Sequence, residues 1–219
     1  MSDQHDNTTD SEQGASQLAQ WRGDFGDSYI ERNSPTPERL QQRIDALSEM
    51  LAPIDPGQLR SLLEVGANVG LNLRALAKIT DAELFAIEPN GTARDLLAAD
   101  QVLPAERIFD GTAAQIPLPD GGAELVMTST VLIHVPDEML RSSYEEIYRV
   151  SSRYILCIEY FSPDPVTIHY RGHDDLLFKR DYGGLWLDWY PALEHVADGF
   201  FWKRTTGLDN VNWWLFRKP

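Results

Sequence analysis

The sequence predicts an α/β fold, with a mostly parallel sheet covered by helices on both faces. Three observations predict it. Residues 62–79 run from a short apolar strand through a glycine-bearing turn into a helix. A second apolar strand, residues 83–88, follows and ends on a carboxylate, Glu88. Strand and helix patterns go on alternating to residue 159, and two aromatic segments, 198–204 and 210–216, form a closing hairpin. Alternation of this kind places consecutive strands parallel, with the helices as crossovers.

Composition bounds the reading. The 219 residues are 42% hydrophobic and 24% charged, without an internal repeat, which suits one domain of roughly 200 residues. A net charge of −15 counts against a nucleic-acid partner and against anionic membranes. The single Cys157 excludes an intramolecular disulfide and points to a reducing compartment. The polar N-terminus and the lack of any run near 18 apolar residues predict a cytoplasmic protein without a signal peptide or membrane span. On that reading, the sequon at Asn7-Thr8-Thr9 has no role.

Residues 1–19 hold four acids and no lysine or arginine, so they are expected to remain a disordered acidic tail. Residues 20–52 form an N-terminal arm and helix. The arm, Trp21 to Asn33, is aromatic, charged and glycine-broken, and reads as either a lid or an edge-packing segment. Thr36 is a candidate N-cap, Pro37 the first helical position, and Leu40, Ile44, Leu47 and Leu51 one apolar face. Residues 53–219 are the main domain, interrupted by an expected substrate-recognition insertion at about 161–195.

The chemistry centres on Leu62 to Leu76. A strand that breaks into a helix through Gly66 and Gly70 leaves unpaired backbone N–H groups and a positive dipole end for an anionic ligand. Glycine also lets the ligand approach the backbone closely. Glu88 stands 22 residues after Gly66, where a nucleoside would present its ribose hydroxyls. Two cofactor classes compete for such a site: a dinucleotide and S-adenosylmethionine. The dinucleotide fingerprint needs a third glycine, which Gly66-Ala67-Asn68-Val69-Gly70 lacks. The turn instead resembles the first motif of class I methyltransferases, an acid followed by G-x-G-x-G, with Glu64 as the acid and Asn68 in place of a glycine. Asparagine tolerates left-handed backbone better than other non-glycine residues.

Further segments extend the resemblance. Asp110-Gly111-Thr112-Ala113 resembles the third motif, which holds adenine, although the family's acid falls on Thr112 and the aspartate lies two places earlier. Val131-Leu132-Ile133-His134-Val135 resembles the segment that closes over the cofactor. Glu159 and Tyr160 fall at the C-terminal end of a strand, the edge where open α/β sheets bind ligands. In an acidic chain, five basic or titratable nitrogens (His169, Arg171, His173, Lys179 and Arg180) within twelve residues suit an anionic substrate, unless Asp174, Asp175 and Asp181 neutralise them.

Together with Trp21–Asn33, Glu64–Leu73, Tyr170–His173, Phe178–Asp181 and Asn212–Phe216, the chain is similar to the pseudaminic acid biosynthesis-associated methylases. The resemblance implies a Rossmann-like class I methyltransferase fold, with a seven-stranded mostly parallel sheet and an antiparallel C-terminal hairpin. It implies S-adenosylmethionine as cofactor and methyl transfer to O or N of an anionic small molecule, a nonulosonic-acid or surface-polysaccharide intermediate.

Carried over by position, Gly66, Ala67, Asn68 and Gly70 would surround the methionine part. Glu88 would hold the ribose, Asn90, Thr112 and Ala113 the adenine, and Thr130 and Val131 would flank the sulfonium; Tyr29, Glu64 and Pro89 complete the cofactor set. Candidate bases are His134, Glu159, His169, Tyr170 and His173, and candidate substrate grips are Arg32, Asn33, Arg171, Lys179 and Arg180. No metal is expected. A silent cofactor-binding module and a dinucleotide oxidoreductase remain the alternative readings.

Overall fold

In the computed structural model, residues 18–172 and 176–219 are described, apart from the side chains of Glu31 and Arg32. The expected acidic tail and His173 therefore lie outside the described residues, except for Leu18 and Ala19.

Seven strands form one sheet in the order β3-β2-β1-β4-β5-β9-β8. β1 (Ser61–Val65) lies between β2 (Glu83–Ile87) and β4 (Ala123–Ser129), and β3 (Ile108–Phe109) and β5 (Ser151–Glu159) extend the parallel part on either side. β9 (Val211–Arg217) runs antiparallel to both β5 and β8 (Glu194–Phe201). The seven-stranded, mostly parallel sheet with an antiparallel C-terminal hairpin is thus as the sequence predicts.

The central strands β1, β2 and β4 are mainly apolar because both faces are covered. Leu62, Leu125, Met127, Leu156 and Ile158 point into one core layer, while Leu63, Val65, Val126, Ile155 and Cys157 point into the other. This is the period-two alternation of a strand read through two cores. The arm's C-terminal part is helix α1 (Asp24–Arg32), and α2 spans Pro37–Leu51. Thr36 caps α2 by accepting from the Arg39 N–H at 3.2 Å. Ala46, Leu47, Met50 and Leu51 of α2 are buried in the first core layer together with Leu73 and Leu76 of α3 (Leu71–Ile79). That helix is therefore part of the main core, whereas the sequence grouped it with the arm. α4 (Gly91–Ala99) adds Leu97 to the same layer.

The second layer is covered by α5 (Asp137–Val150), through Leu140, Tyr144 and Ile147, and by α6 (Tyr182–Trp189), through Tyr182 and Trp186. The expected insertion is narrower than the sequence suggested. A two-stranded hairpin, β6 (Val166–Thr167) with β7 (Phe178–Lys179), stands outside the sheet. α6 is core, since Trp186 is fully buried, and Glu194 and His195 already belong to β8. A short helix, α7 (Lys203–Thr206), joins β8 to β9 where a plain turn was expected.

Candidate active site

The C-terminal ends of β1, β2 and β4 open into one cavity of about 290 Å³. Its floor is the glycine turn. Gly66, Asn68 and Gly70 have φ of 74°, 47° and 75°, so the backbone zigzags through left-handed positions that only glycine and asparagine adopt cheaply. The Gly66 and Ala67 N–H groups donate to the Ile87 carbonyl at 2.8 and 3.1 Å, locking the turn to β2. A Cβ on Gly66 would stand 2.4 Å from the Val131 methyl, so this glycine is also required by close packing.

Glu88 ties the turn together. Its carboxylate is buried and accepts from the Asn68 N–H at 2.7 Å and the Asn90 N–H at 2.8 Å. Burial raises its pKa, and the two backbone donors oppose that rise. Each carboxylate oxygen keeps a lone pair for a further donor. Asn90 is spoken for: its Oδ1 caps α4 through the Ala93 N–H, and its Nδ2 donates to the Trp21 carbonyl and to Asp27. Its side chain fastens the arm, and Asn90 also lines the first cavity. Pro89, Thr112 and Ala113 line the same cavity. Asp110 instead takes Arg22 at 2.7 Å and Arg94 at 3.4 Å, leaving Thr112 as the third-motif side chain at the cavity.

Glu64 supports the turn from behind. It is 2% exposed, and its Oε1 accepts from Asn72 at 2.6 Å while Oε2 has no hydrogen-bond partner among the described residues. Burial pushes its carboxyl up to about 8. A carboxyl held at about 8 against an ordinary 4.5 adds stability that is complete below pH 4.5 and is lost as pH rises through about 8. Glu159 acts in the same direction through about 7. His134, pushed down to about 4 from 6.5, adds stability above pH 6.5 that is lost as pH falls through about 4. Replacing Glu64 by Gln removes only the first contribution. The native chain is therefore expected to lose stability relative to Glu64→Gln from about pH 5 to about pH 8, by at most about 1.4 kcal/mol per unit. Urea unfolding across that range checks this; a gap independent of pH would overturn it.

The arm closes over the cavity. Trp21, Gly26, Tyr29 and Asn33 line it, and Gly26 is packed so tightly that a Cβ would stand 2.0 Å from the Trp21 carbonyl. Arg22 grips Asp110 through both guanidinium nitrogens, at 2.7 and 3.3 Å. The arm thus forms part of the cavity wall.

Beside the first cavity lies a second of about 270 Å³. Thr130 lines both, with φ of 55°, a left-handed position strained for threonine. His134 also lines both, but its imidazole is buried: Nδ1 donates to the Leu176 carbonyl, and the rings of Trp21 and Tyr170 lie 4.7 and 5.8 Å away. Nε2 is thereby left as an acceptor. Val131 belongs to the first cavity only, while Tyr170 and Arg171 line the second.

Several expected side chains are elsewhere. Glu159 is fully buried, and its carboxylate accepts from the N–H groups of Val131, Leu132 and Ile133 at 3.1–3.3 Å. It holds the backbone of the loop before α5 and lines neither cavity, so it is a positioning residue, contrary to the expectation of a base. Arg180 is 5% exposed and bonded to Asp137, Tyr182 and the Val135 carbonyl; it is structural, and no substrate grip. Lys179 stacks over the Tyr160 ring at 5.6 Å, outside both cavities. His169 is exposed and lines neither cavity. The basic cluster therefore divides, with only Arg171 and Tyr170 of this segment reaching the second cavity. Asp181, expected to neutralise it, instead caps α6 through the Gly184 N–H. His173 and the Arg32 side chain lie outside the described residues.

Three charged lining residues escaped sequence analysis. Arg39 and Arg43 are four apart on α2, so they share a helix face, but such a pair is ordinarily solvated. Asp209, between α7 and β9, had no sequence signal at all. Among the described residues, no group of three or more His, Cys, Asp or Glu is placed to hold a metal, and no helix is long and apolar enough to cross a membrane.

The positive-φ turn, the buried acid at the end of β2 and the cavity along the strand ends fit the nucleoside and amino-acid parts of S-adenosylmethionine. The fold is the Rossmann-like methyltransferase fold. Residues 63–153 match the family model described as a methyltransferase domain. No curated protein matches the chain. Among solved structures, it is similar to an S-adenosylmethionine-dependent methyltransferase of Leishmania major at 15% identity, with TM-score 0.68, covering 93% of this chain and 82% of that one. The 1,6-didemethyltoxoflavin-N1-methyltransferase of Burkholderia thailandensis gives 15% identity and TM-score 0.69 over 94% and 90% of the two chains. Magnesium protoporphyrin IX methyltransferase of Synechocystis PCC 6803, solved with bound S-adenosylmethionine, gives 12%, 0.66, 94% and 97%. At these identities the likeness concerns the fold.

Proposed function

We propose that the chain methylates an oxygen or nitrogen of an anionic small molecule, an acidic sugar derivative of the nonulosonic-acid or surface-polysaccharide class. The supporting observation is the second cavity. In a chain of net charge −15, its lining holds Arg39 and Arg171 against one carboxylate, Asp209. Arginine is the usual grip for a carboxylate or phosphate. The phenols of Tyr29, Tyr160 and Tyr170 offer ring faces and hydroxyls to a polar ring. The resemblance of residues 170–173, 178–181 and 212–216 to the pseudaminic acid-associated methylases points to the same class.

When bound, S-adenosylmethionine supplies a methyl group on a sulfonium, which an acceptor displaces in line. The chain's task is then mainly positioning and exclusion of water. On this reading, Glu88 takes the ribose hydroxyls, and Thr112 and Ala113 adjoin the adenine. Arg43, whose electrostatic neighbours include Glu64 and Asp209, offers a cation for the carboxylate of the amino-acid part. Glu159 holds the Val131–Ile133 backbone in place, and the Arg22–Asp110 pair keeps the arm shut.

The test has two stages. Isothermal titration with S-adenosylmethionine, S-adenosylhomocysteine and NAD is expected to show binding of the two sulfur ligands alone. Methyl transfer is then followed to N-acetylneuraminic acid and glucuronic acid, with glucose as the neutral control. Arg171→Ala is expected to raise KM for the acidic acceptor about tenfold with little change in kcat. Preference for the neutral sugar would overturn the anionic reading, and binding without turnover on any acceptor would favour the silent module.

A further inference from the structure

The two cavities share a wall of six residues: Tyr29, Asn33, Arg39, Thr130, His134 and Asp209. A methyl group passing from a donor in the first cavity to an acceptor in the second crosses that wall. An acceptor hydroxyl or ammonium must give up a proton there. Two of the six, His134 and Asp209, are ordinary proton acceptors. His134 is poorly suited: its Nδ1 is committed to the Leu176 carbonyl, two rings crowd it, and burial disfavours the imidazolium. Its Nε2 can orient a hydroxyl without keeping the proton.

Asp209 differs in every respect. Its side chain is 57% exposed, on a loop of the closing hairpin, and it lines both cavities. The Lys203 ammonium donates to Oδ1 at 2.9 Å and the Tyr160 hydroxyl to Oδ2 at 3.3 Å, which fixes the carboxylate and leaves a lone pair on each oxygen. Arg43 and Tyr160 both feel its charge.

We propose that Asp209, held by Tyr160 and Lys203, receives the acceptor's proton during methyl transfer. An acceptor O–H or N–H that gains the methyl group loses its proton to the Asp209 carboxylate, and the electron pair of the broken S–C bond stays on sulfur. The inference rests on the methyl-transfer reading of the two cavities, yet its test needs no acceptor. Sinefungin carries an amine on the carbon that replaces the methylated sulfur, so it offers an ammonium where the transferred methyl group would be. S-adenosylhomocysteine has nothing there.

By isothermal titration, the native chain is expected to bind sinefungin about tenfold more tightly than S-adenosylhomocysteine, as a charge-assisted hydrogen bond warrants. Asp209→Asn is expected to cut that ratio about tenfold while leaving S-adenosylhomocysteine within about twofold. Tyr160→Phe, which only frees the carboxylate, is expected to cut it less. An unchanged ratio in Asp209→Asn overturns the proposal, and so does an equal loss of both ligands, which marks a structural role. If the native chain bound neither ligand, the cofactor assignment itself would fall, and this proposal with it.

Discussion

Replacing Glu88 by alanine is expected to weaken binding of S-adenosylmethionine and S-adenosylhomocysteine by about 100-fold or more. The carboxylate holds the N–H groups of Asn68 and Asn90, both of which line the first cavity. A hydrogen bond to a charged group contributes about 1.5–3 kcal/mol, and an orphaned buried donor costs about 1–3 kcal/mol more. Asn68 would also lose the anchor that holds its left-handed conformation, at φ 47°. Adding the loss of the proposed contact to the ribose, a fall in affinity of about 100-fold or more follows. Glu88→Gln keeps one acceptor and is expected to fall between, near tenfold. Isothermal titration of both variants, each checked for folding by circular dichroism, decides the matter. An alanine variant binding within about threefold of native would show that the turn holds its shape without the acid.

The second large effect is expected at Gly66. With φ at 74°, any side chain there adopts a left-handed conformation, which costs about 1–2 kcal/mol. The added Cβ would meet Val131 Cγ2 at 2.4 Å, and overpacking of this kind costs about 1–3 kcal/mol. Gly66→Ala is therefore expected to lose on the order of 2–4 kcal/mol in urea unfolding and most of its cofactor affinity. Gly91 is the matched control. It lies in the first turn of α4 without a positive φ, and its Cβ would find nothing closer than an Arg94 nitrogen at 3.9 Å. Gly91→Ala should be close to neutral. If the two variants behave alike, packing against Val131 is not what makes Gly66 necessary.

Both predictions concern the part of the site most legible in the sequence. Cradle and acid follow from local rules: a strand that must turn into a helix under a ligand needs glycine, and an acid at the end of the next strand stands beside it. Period-two and helical patterns likewise gave the order of elements, because parallel strands buried on both faces read as uninterrupted apolar runs. The cap at Thr36 and the closing hairpin were legible for the same reason, since each depends on residues near one another in the chain.

The acceptor side was not legible, because it is assembled across distance. Glu159 and Arg180 have the chemistry of a base and an anion grip. Yet Glu159 spends its carboxylate on three backbone donors of the loop before α5, and Arg180 is buried against Asp137 and Tyr182. A charged side chain's availability depends on which partners the fold brings within about 3 Å, and a linear pattern carries no record of them. Asp209 shows the converse. Nothing about a lone aspartate before a strand marks it, and it reaches the wall between the cavities only because β9 inserts antiparallel between β5 and β8. Residue type and spacing thus determined the fold and the cofactor cradle, whose contacts are short in sequence. Which titratable groups line the second cavity was decided by tertiary packing, because burial and partnering set whether a carboxylate binds the backbone or faces a cavity.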